Sequence, residues 1–286
     1  MRSLWCVLVV LLAGCQSAPS ILPPVVVRPG DIVDLHSGQV LSPDELVAHL
    51  VPAPRVIVGE RHDNPDHHAL QLWLLRSMAA KRSQGSLLLE MLNPDQQARV
   101  DGVKRSAGTG RLPDDLPGLL AWQSGWDWSL YGPLVGYALK QPYPLLAANL
   151  DRQEVRGIYA KVPSVPGVSA NARAVVDALS RQIRESHCGL LPDSQVPAML
   201  AVQQQRDRRM AERLLAAPAP AVLLAGAFHA RKDLGVPLHM ADLAPGREAV
   251  VLLLAEQGSQ VGASSADFVW YTPAQPEQDY CARLKQ

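Results

Sequence analysis

Short apolar runs recur along the chain, separated by stretches of helical spacing, and this limits the fold more than any other feature. Arg55-Val-Ile-Val-Gly-Glu60, Ser86-Leu-Leu-Leu-Glu-Met91, Pro144-Leu-Leu-Ala-Ala-Asn-Leu150, Ala221-Val-Leu-Leu-Ala225 and Glu248-Ala-Val-Val-Leu-Leu-Leu254 are the clearest, with Asp267-Phe-Val-Trp-Tyr271 as a sixth. Continuous apolar runs of this length suit strands buried on both faces, because a half-exposed strand would alternate apolar with polar residues. Between them, Leu70, Trp73, Leu74 and Met78 share one face of a helix expected from Asp66 to Arg82, with Asp66 as its N-cap. Asn93-Pro94 opens another helix, running to about Lys104. Residues 113–141 read as two short helices split at Gly125, and a further helix starts at Asp151. A long loop and one helix near 170–184 precede an amphipathic helix from Val196 to Ala217. The alternation predicts an α/β fold: a mostly parallel sheet flanked by helices, with a helical subdomain around 92–142.

The N-terminus has a different character. Arg2 is followed by an apolar run from Leu4 to Ala13 that ends in Leu12-Ala13-Gly14-Cys15. A basic start, an apolar core of about ten residues and small residues before a cut make an export signal. The run is too short for a permanent membrane span. Leu-Ala-Gly-Cys resembles the bacterial lipobox, which implies that residues 1–14 are removed and Cys15 is lipidated. Gln16, rather than Asp, follows it and implies the outer membrane, most simply its periplasmic face. Residues 15–30 then form a lipidated tether rich in Pro and small residues, and 31–286 form the folded domain. Cys188 and Cys281 are the cysteines left with free side chains; in an oxidising compartment they are expected to pair as a disulfide, with two free thiols as the alternative. The chain carries 27 Lys and Arg against 27 Asp and Glu, so nothing electrostatic favours nucleic acid as a partner.

The chemistry gathers where the runs end. The first ends in Gly59-Glu60-Arg61-His62, the second in Glu90, the third in Asn149 with Arg152 beyond it, and the fourth in Gly226-Ala227-Phe228-His229. In an open α/β sheet, ligands bind outside the carboxyl ends of the strands. Neighbouring strands lie about 4.8 Å apart, so these groups can share one site. Glu60 and Glu90 each close an apolar strand, where an unpaired charge would be costly. Imidazoles and carboxylates together suit a divalent metal; equally, a His beside a carboxylate is a general base with a fixed tautomer.

Gly59-Glu60-Arg61-His62-Asp63-Asn64-Pro65 with His67-His68 and Gln71, and Leu89-Glu90-Met91 with Asp95-Gln96-Gln97, resemble the ChaN family of haem-binding lipoproteins. The likeness continues through Gly125-Trp126-Asp127-Trp128 with Tyr131 and Pro133, and Ala148-Asn149-Leu150 with Arg152. Gln205-Arg206-Asp207 and Gly226-Ala227-Phe228-His229 with Gly235-Val236-Pro237 complete it, over roughly residues 31–271. The resemblance implies ferric haem held by a tyrosine in a cleft completed by a homodimer, with outer-membrane haem-uptake machinery as a partner. Tyr131 fits the family motif and is the expected axial ligand, with Tyr159 and Tyr137 in reserve. Trp126 and Trp128 are expected against the porphyrin, Arg152 at a propionate, and Asp207 as a brace for the strand-end residues. The wider superfamily includes Tiki metalloproteases and erythromycin esterases, which implies an alternative: a hydrolase using Glu60, His62, Glu90 and His229. Neither Gly-x-Ser-x-Gly nor His-Glu-x-x-His occurs in the sequence.

Overall fold

The structure is a computed structural model that describes residues 28–108, 110–276, 279 and 281–282. The export signal, Cys15 and the tether up to residue 27 lie outside the described residues. The chain opens with β1 (Ile32–Asp34), β2 (Val40–Leu41) and α1 (Pro43–Leu50), the last capped by Ser42 in a reciprocal box with Glu45. β3 (Arg55–Glu60), α2 (Pro65–Ala79) and β4 (Ser86–Leu89) follow. A 3-10 turn then runs into α3 (Gln97–Ala107), with α4 (Leu116–Leu119) and α5 (Trp128–Leu139) after it. Next come β5 (Leu145–Ala147), α6 (Arg152–Ala160), α7 (Arg173–Ser186) and α8 (Val196–Ala216). β6 (Ala221–Gly226), α9 (Ala227–Ala230), α10 (Val236–Leu243), β7 (Val250–Glu256) and β8 (Phe268–Thr272) complete the order.

The eight strands form one sheet in the order β2-β1-β8-β7-β3-β6-β4-β5. The six from β8 to β5 are parallel, and β1 and β2 add an antiparallel edge. Side chains alternate across the sheet, and the strands divide accordingly. Val56, Val58, Leu87, Leu89, Val222 and Leu224 face one core with residues of α1, α2, α3 and α5. Ile57, Leu88, Leu223, Val251 and Leu253 face a second core with α8 and α10. The helical stretch around 92–142 covers the first face and shares its core, through Val100, Leu116, Leu134 and Val135, instead of building its own. α6 and α7 lie outside against α8.

One helix start differs from the sequence expectation. α2 begins at Pro65, and the Asn64 side chain caps it by accepting from the backbone N–H groups of Asp66 and His67. Pro65 brings a pre-set φ and no N–H to the first turn, so the helix starts there and Asp66 becomes a first-turn residue. Cys188, just beyond α7, is joined to Cys281 by a disulfide with 5.6 Å between Cα atoms. Among the described residues no helix is long and apolar enough to cross a membrane.

Candidate functional site

The parity of the strands sorts the two buried glutamates. Glu60 continues the even positions of β3, Val56 and Val58, so it points to the face covered by α5. Glu90 follows Leu89 and points to the other face, beneath α8 and α9. Each meets its own histidine. His62 Nδ1 lies 2.7 Å from Glu60 Oε1, and Tyr131 donates its hydroxyl to the same oxygen at 2.9 Å. On the other face, His229 Nδ1 lies 2.6 Å from Asp207 Oδ1, and its Nε2 lies 3.4 Å from Glu90 Oε1. Glu90 Oε2 accepts from the Gly226 backbone N–H at 2.8 Å.

The two halves meet at Gly226. A Cβ built there would stand 2.7 Å from His62 Nε2 and 3.6 Å from Glu90 Oε2. Any side chain at this position would therefore displace His62, and glycine holds the centre open. Asn149 fixes the neighbouring strand end, donating from Nδ2 to the Glu90 carbonyl at 2.9 Å. His68 reaches the His62 carbonyl through Nε2 at 3.0 Å. His67 accepts the Arg61 backbone N–H on Nδ1 at 2.9 Å, leaving Nε2 to donate to Thr272 Oγ1. Burial drives its pKa down to about 3, so it stays neutral and holds the turn after β3.

Electrostatics set the protonation of the pairs. Burial opposes a charge on His62, but the hydrogen bond to Glu60 and the charges of Glu90 and Glu60 outweigh it and raise its pKa to about 9. Burial likewise opposes a charge on His229, and Glu90 and Asp207 together overcome it. Burial lifts Asp207 to about 6, still ionised at neutral pH. Burial and then Glu60 push the Tyr131 phenol strongly upward, so it remains a proton donor. Both imidazoles are thus drawn towards their protonated forms, each by a buried carboxyl group.

A cavity of about 790 Å³ opens beside these groups, lined by Glu60, His62, Gly226 and His229 among others. The structure thus brings Glu60, His62, Glu90, Asp207 and His229 together. The other expected residues fall differently. Tyr131 is 0% exposed, enclosed by edge contacts from His68 and Trp126 and a tilted contact from Trp122. Its oxygen faces Glu60 and His62, so no open side remains for an iron atom. Trp126 and Trp128 are half-buried and pack against Trp122, Tyr131 and His62. Arg152 is exposed and donates to Gln123 Oε1 at 2.9 Å. Among the described residues no group of three or more His, Cys, Asp or Glu is arranged to hold a metal ion, because the histidines and carboxylates pair off. Gln203 was missed: its Nε2 lies 3.1 Å from His229 Nδ1. It precedes Asp207 by four residues on α8, and that helical spacing is the signal that could have found it.

The fold and site define a class: a doubly covered α/β protein with histidine–carboxylate pairs at the carboxyl edge of its sheet. Residues 46–240 match the family described as haem-binding uptake, Tiki superfamily, ChaN. That match spans well over half of the chain, and the chain belongs to this family. A solved structure of cofacial heme binding to ChaN of Campylobacter jejuni is similar at 26% identity and a TM-score of 0.75. The alignment covers 84% of this chain and 95% of that one. An erythromycin esterase mutant in its open conformation aligns at 16% identity and a TM-score of 0.45, over 82% of this chain and 80% of that one. Comparison with curated protein sequences gives no match.

Proposed function

We propose that this chain is an envelope lipoprotein that binds ferric haem for uptake or trafficking, with Tyr159 as the iron ligand and a second copy completing the site. The observation that carries this reading is the family membership over residues 46–240. The similar ChaN structure binds haem cofacially, which supports a paired arrangement here. The choice of tyrosine rests on accessibility. A tyrosinate ligand must lose its proton and present its oxygen to open space, whereas Tyr131 keeps its proton on Glu60 inside the core. Tyr159, on α6, is 43% exposed; its hydroxyl rests on the Met199 sulfur, a weak acceptor that it would leave to reach iron. Met199 and Gln203 are one turn apart on α8, so Tyr159 stands about one turn from His229 along that helix. Exposed Val162, Val168 and Leu190 follow it in sequence and offer apolar surface to a porphyrin.

Titration with haemin tests this reading. Saturable binding with a high-spin ferric spectrum and a phenolate charge-transfer band is expected, and Tyr159→Phe should remove the band. If Tyr159→Phe leaves the spectrum intact, the ligand is another residue. Sedimentation should show haemin shifting monomer towards dimer, since a shared site binds only the dimer. Cys15→Ser should abolish acylation and membrane fractionation.

The paired histidines favour a second reading, a hydrolase working at the same sheet edge. His62 and His229 flank one cavity, each oriented by a carboxylate, as an acid–base pair requires. Ester or peptide cleavage abolished by His62→Ala, in protein without saturable haemin binding, would establish it over the haem reading.

A further inference from the structure

We propose that the cavity at the carboxyl edge of the sheet is a receptor for a small organic carboxylate with an apolar body. The carboxylate sits on His62 Nε2, and the body lies over Phe228, Leu253 and Val261. The site does not depend on the choice of iron ligand.

Size and lining come first. At about 790 Å³ the cavity falls in the range that encloses small molecules. Phe228, Leu253, Leu254, Ala255 and Val261 give it mainly apolar walls. Phe228 is a large apolar side chain left 43% exposed on α9, a position that a ligand would cover.

The charges around the cavity decide the ligand's sign. Arg61 is paired with Asp63 at 2.8 Å and with Glu256 at 2.6 Å. Arg231 is paired with Asp233 at 2.6 Å, and His229 with Asp207 at 2.6 Å. His62 is different. Its Nδ1 is committed to Glu60 and Tyr131, which are both interior, and its side chain is 41% exposed. Its Nε2 lies against the bare backbone of Gly226, and both residues line the cavity. Among the described residues no hydrogen-bond partner is found for that nitrogen. With Nδ1–H held on Glu60, a protonated ring presents a single N–H to the cavity, which suits one anionic oxygen. A neutral apolar guest would leave it unpaired, and a simple cation offers it no acceptor.

A second polar atom adds a separate requirement, for a donor elsewhere on the guest. Gln182 lines the cavity from α7, and its Oε1 is buried without a partner. A buried orphan acceptor costs free energy, so a guest with a hydroxyl or a protonated oxygen near its head would relieve it. The same chemistry, a carboxylate on an apolar frame, comes from a free short-chain acid or from a porphyrin propionate.

Trp126 provides the readout, because its ring lies 4.8 Å from His62 in an edge contact. Intrinsic fluorescence of the full chain is titrated with hexanoate and, in parallel, with 1-hexanol. Hexanoate should bind saturably and about fivefold or more tightly than hexanol, the preference an exposed ion pair supports. His62→Gln should reduce hexanoate to the level of hexanol. Val261→Glu, which leaves His62 in place, should weaken hexanoate selectively by setting a like charge beside it. Equal affinity for acid and alcohol in the wild-type protein would overturn the proposal, and so would an undiminished preference in both variants. A haemin titration in saturating hexanoate separates the sources. Weakened haemin binding would make the guest a propionate; unchanged haemin binding would make it a separate acid.

Discussion

Replacing Tyr131 with Phe separates a structural tyrosine from a ligand. The ring contacts with His68 at 4.4 Å, Trp122 at 5.9 Å and Trp126 at 6.0 Å survive in Tyr131→Phe, because only the hydroxyl is removed. That hydroxyl donates to Glu60 Oε1, and the Glu60 side chain is 0% exposed. Without it the carboxylate keeps His62 on Oε1, while Oε2, which has no hydrogen-bond partner, gains nothing. A hydrogen bond to a buried charge contributes about 1.5–3 kcal/mol, so a loss of about 2 kcal/mol is expected. In a domain of this size that lowers the Tm by about 4–8 °C. Calorimetry and urea melts of wild type and Tyr131→Phe measure the loss, and the haemin spectrum is recorded on the same samples. The expected pattern is a destabilised protein with an unaltered phenolate band. An unchanged Tm would refute the Glu60 argument, and a vanished band would return the ligand role to Tyr131.

The folded pKa of His62, about 9, lies above the ordinary value of 6.5, so its pairing stabilises the fold fully below about pH 6.5 and is lost as pH rises through about 9. NMR titration of His62 should give that raised value, and His62→Gln should flatten the corresponding part of the stability–pH curve. The disulfide spans 93 residues of sequence, and the loop-entropy model puts its contribution at about 4–5 kcal/mol. Denaturation with and without reductant should show a loss approaching that figure; identical curves would mean that the unfolded chain gains no freedom. Gly59→Ala would set a Cβ against the Leu253 side chain and 2.6 Å from the Ala230 Cβ, so β3 and α9 must part. A cost of about 1–3 kcal/mol is expected, read from a shift in the urea midpoint.

The central strands were legible because their apolar runs are long enough to be unambiguous, and the strand-end set followed from where those runs stop. β1 and β2 were not, since three and two residues carry no periodicity. α9 is a four-residue turn of helix, set by the close approach of Gly59 and not by any pattern of its own. The strand parity that parts Glu60 from Glu90 is present in the sequence. Its meaning emerges only once α5 and α8 are known to lie on opposite faces. Tyr131 illustrates the limit most clearly. Motif position selects it, but whether its oxygen meets solvent or a buried carboxylate depends on the packing of α2 against α5, which local spacing does not encode.

The sheet ends in β2, two residues long, on one side and β5, three residues long, on the other. Edges this short give a neighbouring molecule almost no ladder to extend. Pairing by extension of the sheet is therefore closed to this chain, whatever its partner. In the pairing proposed above, the contact would fall to helices, loops and the haem between them, so that release of the haem would loosen the pair without unfolding either copy.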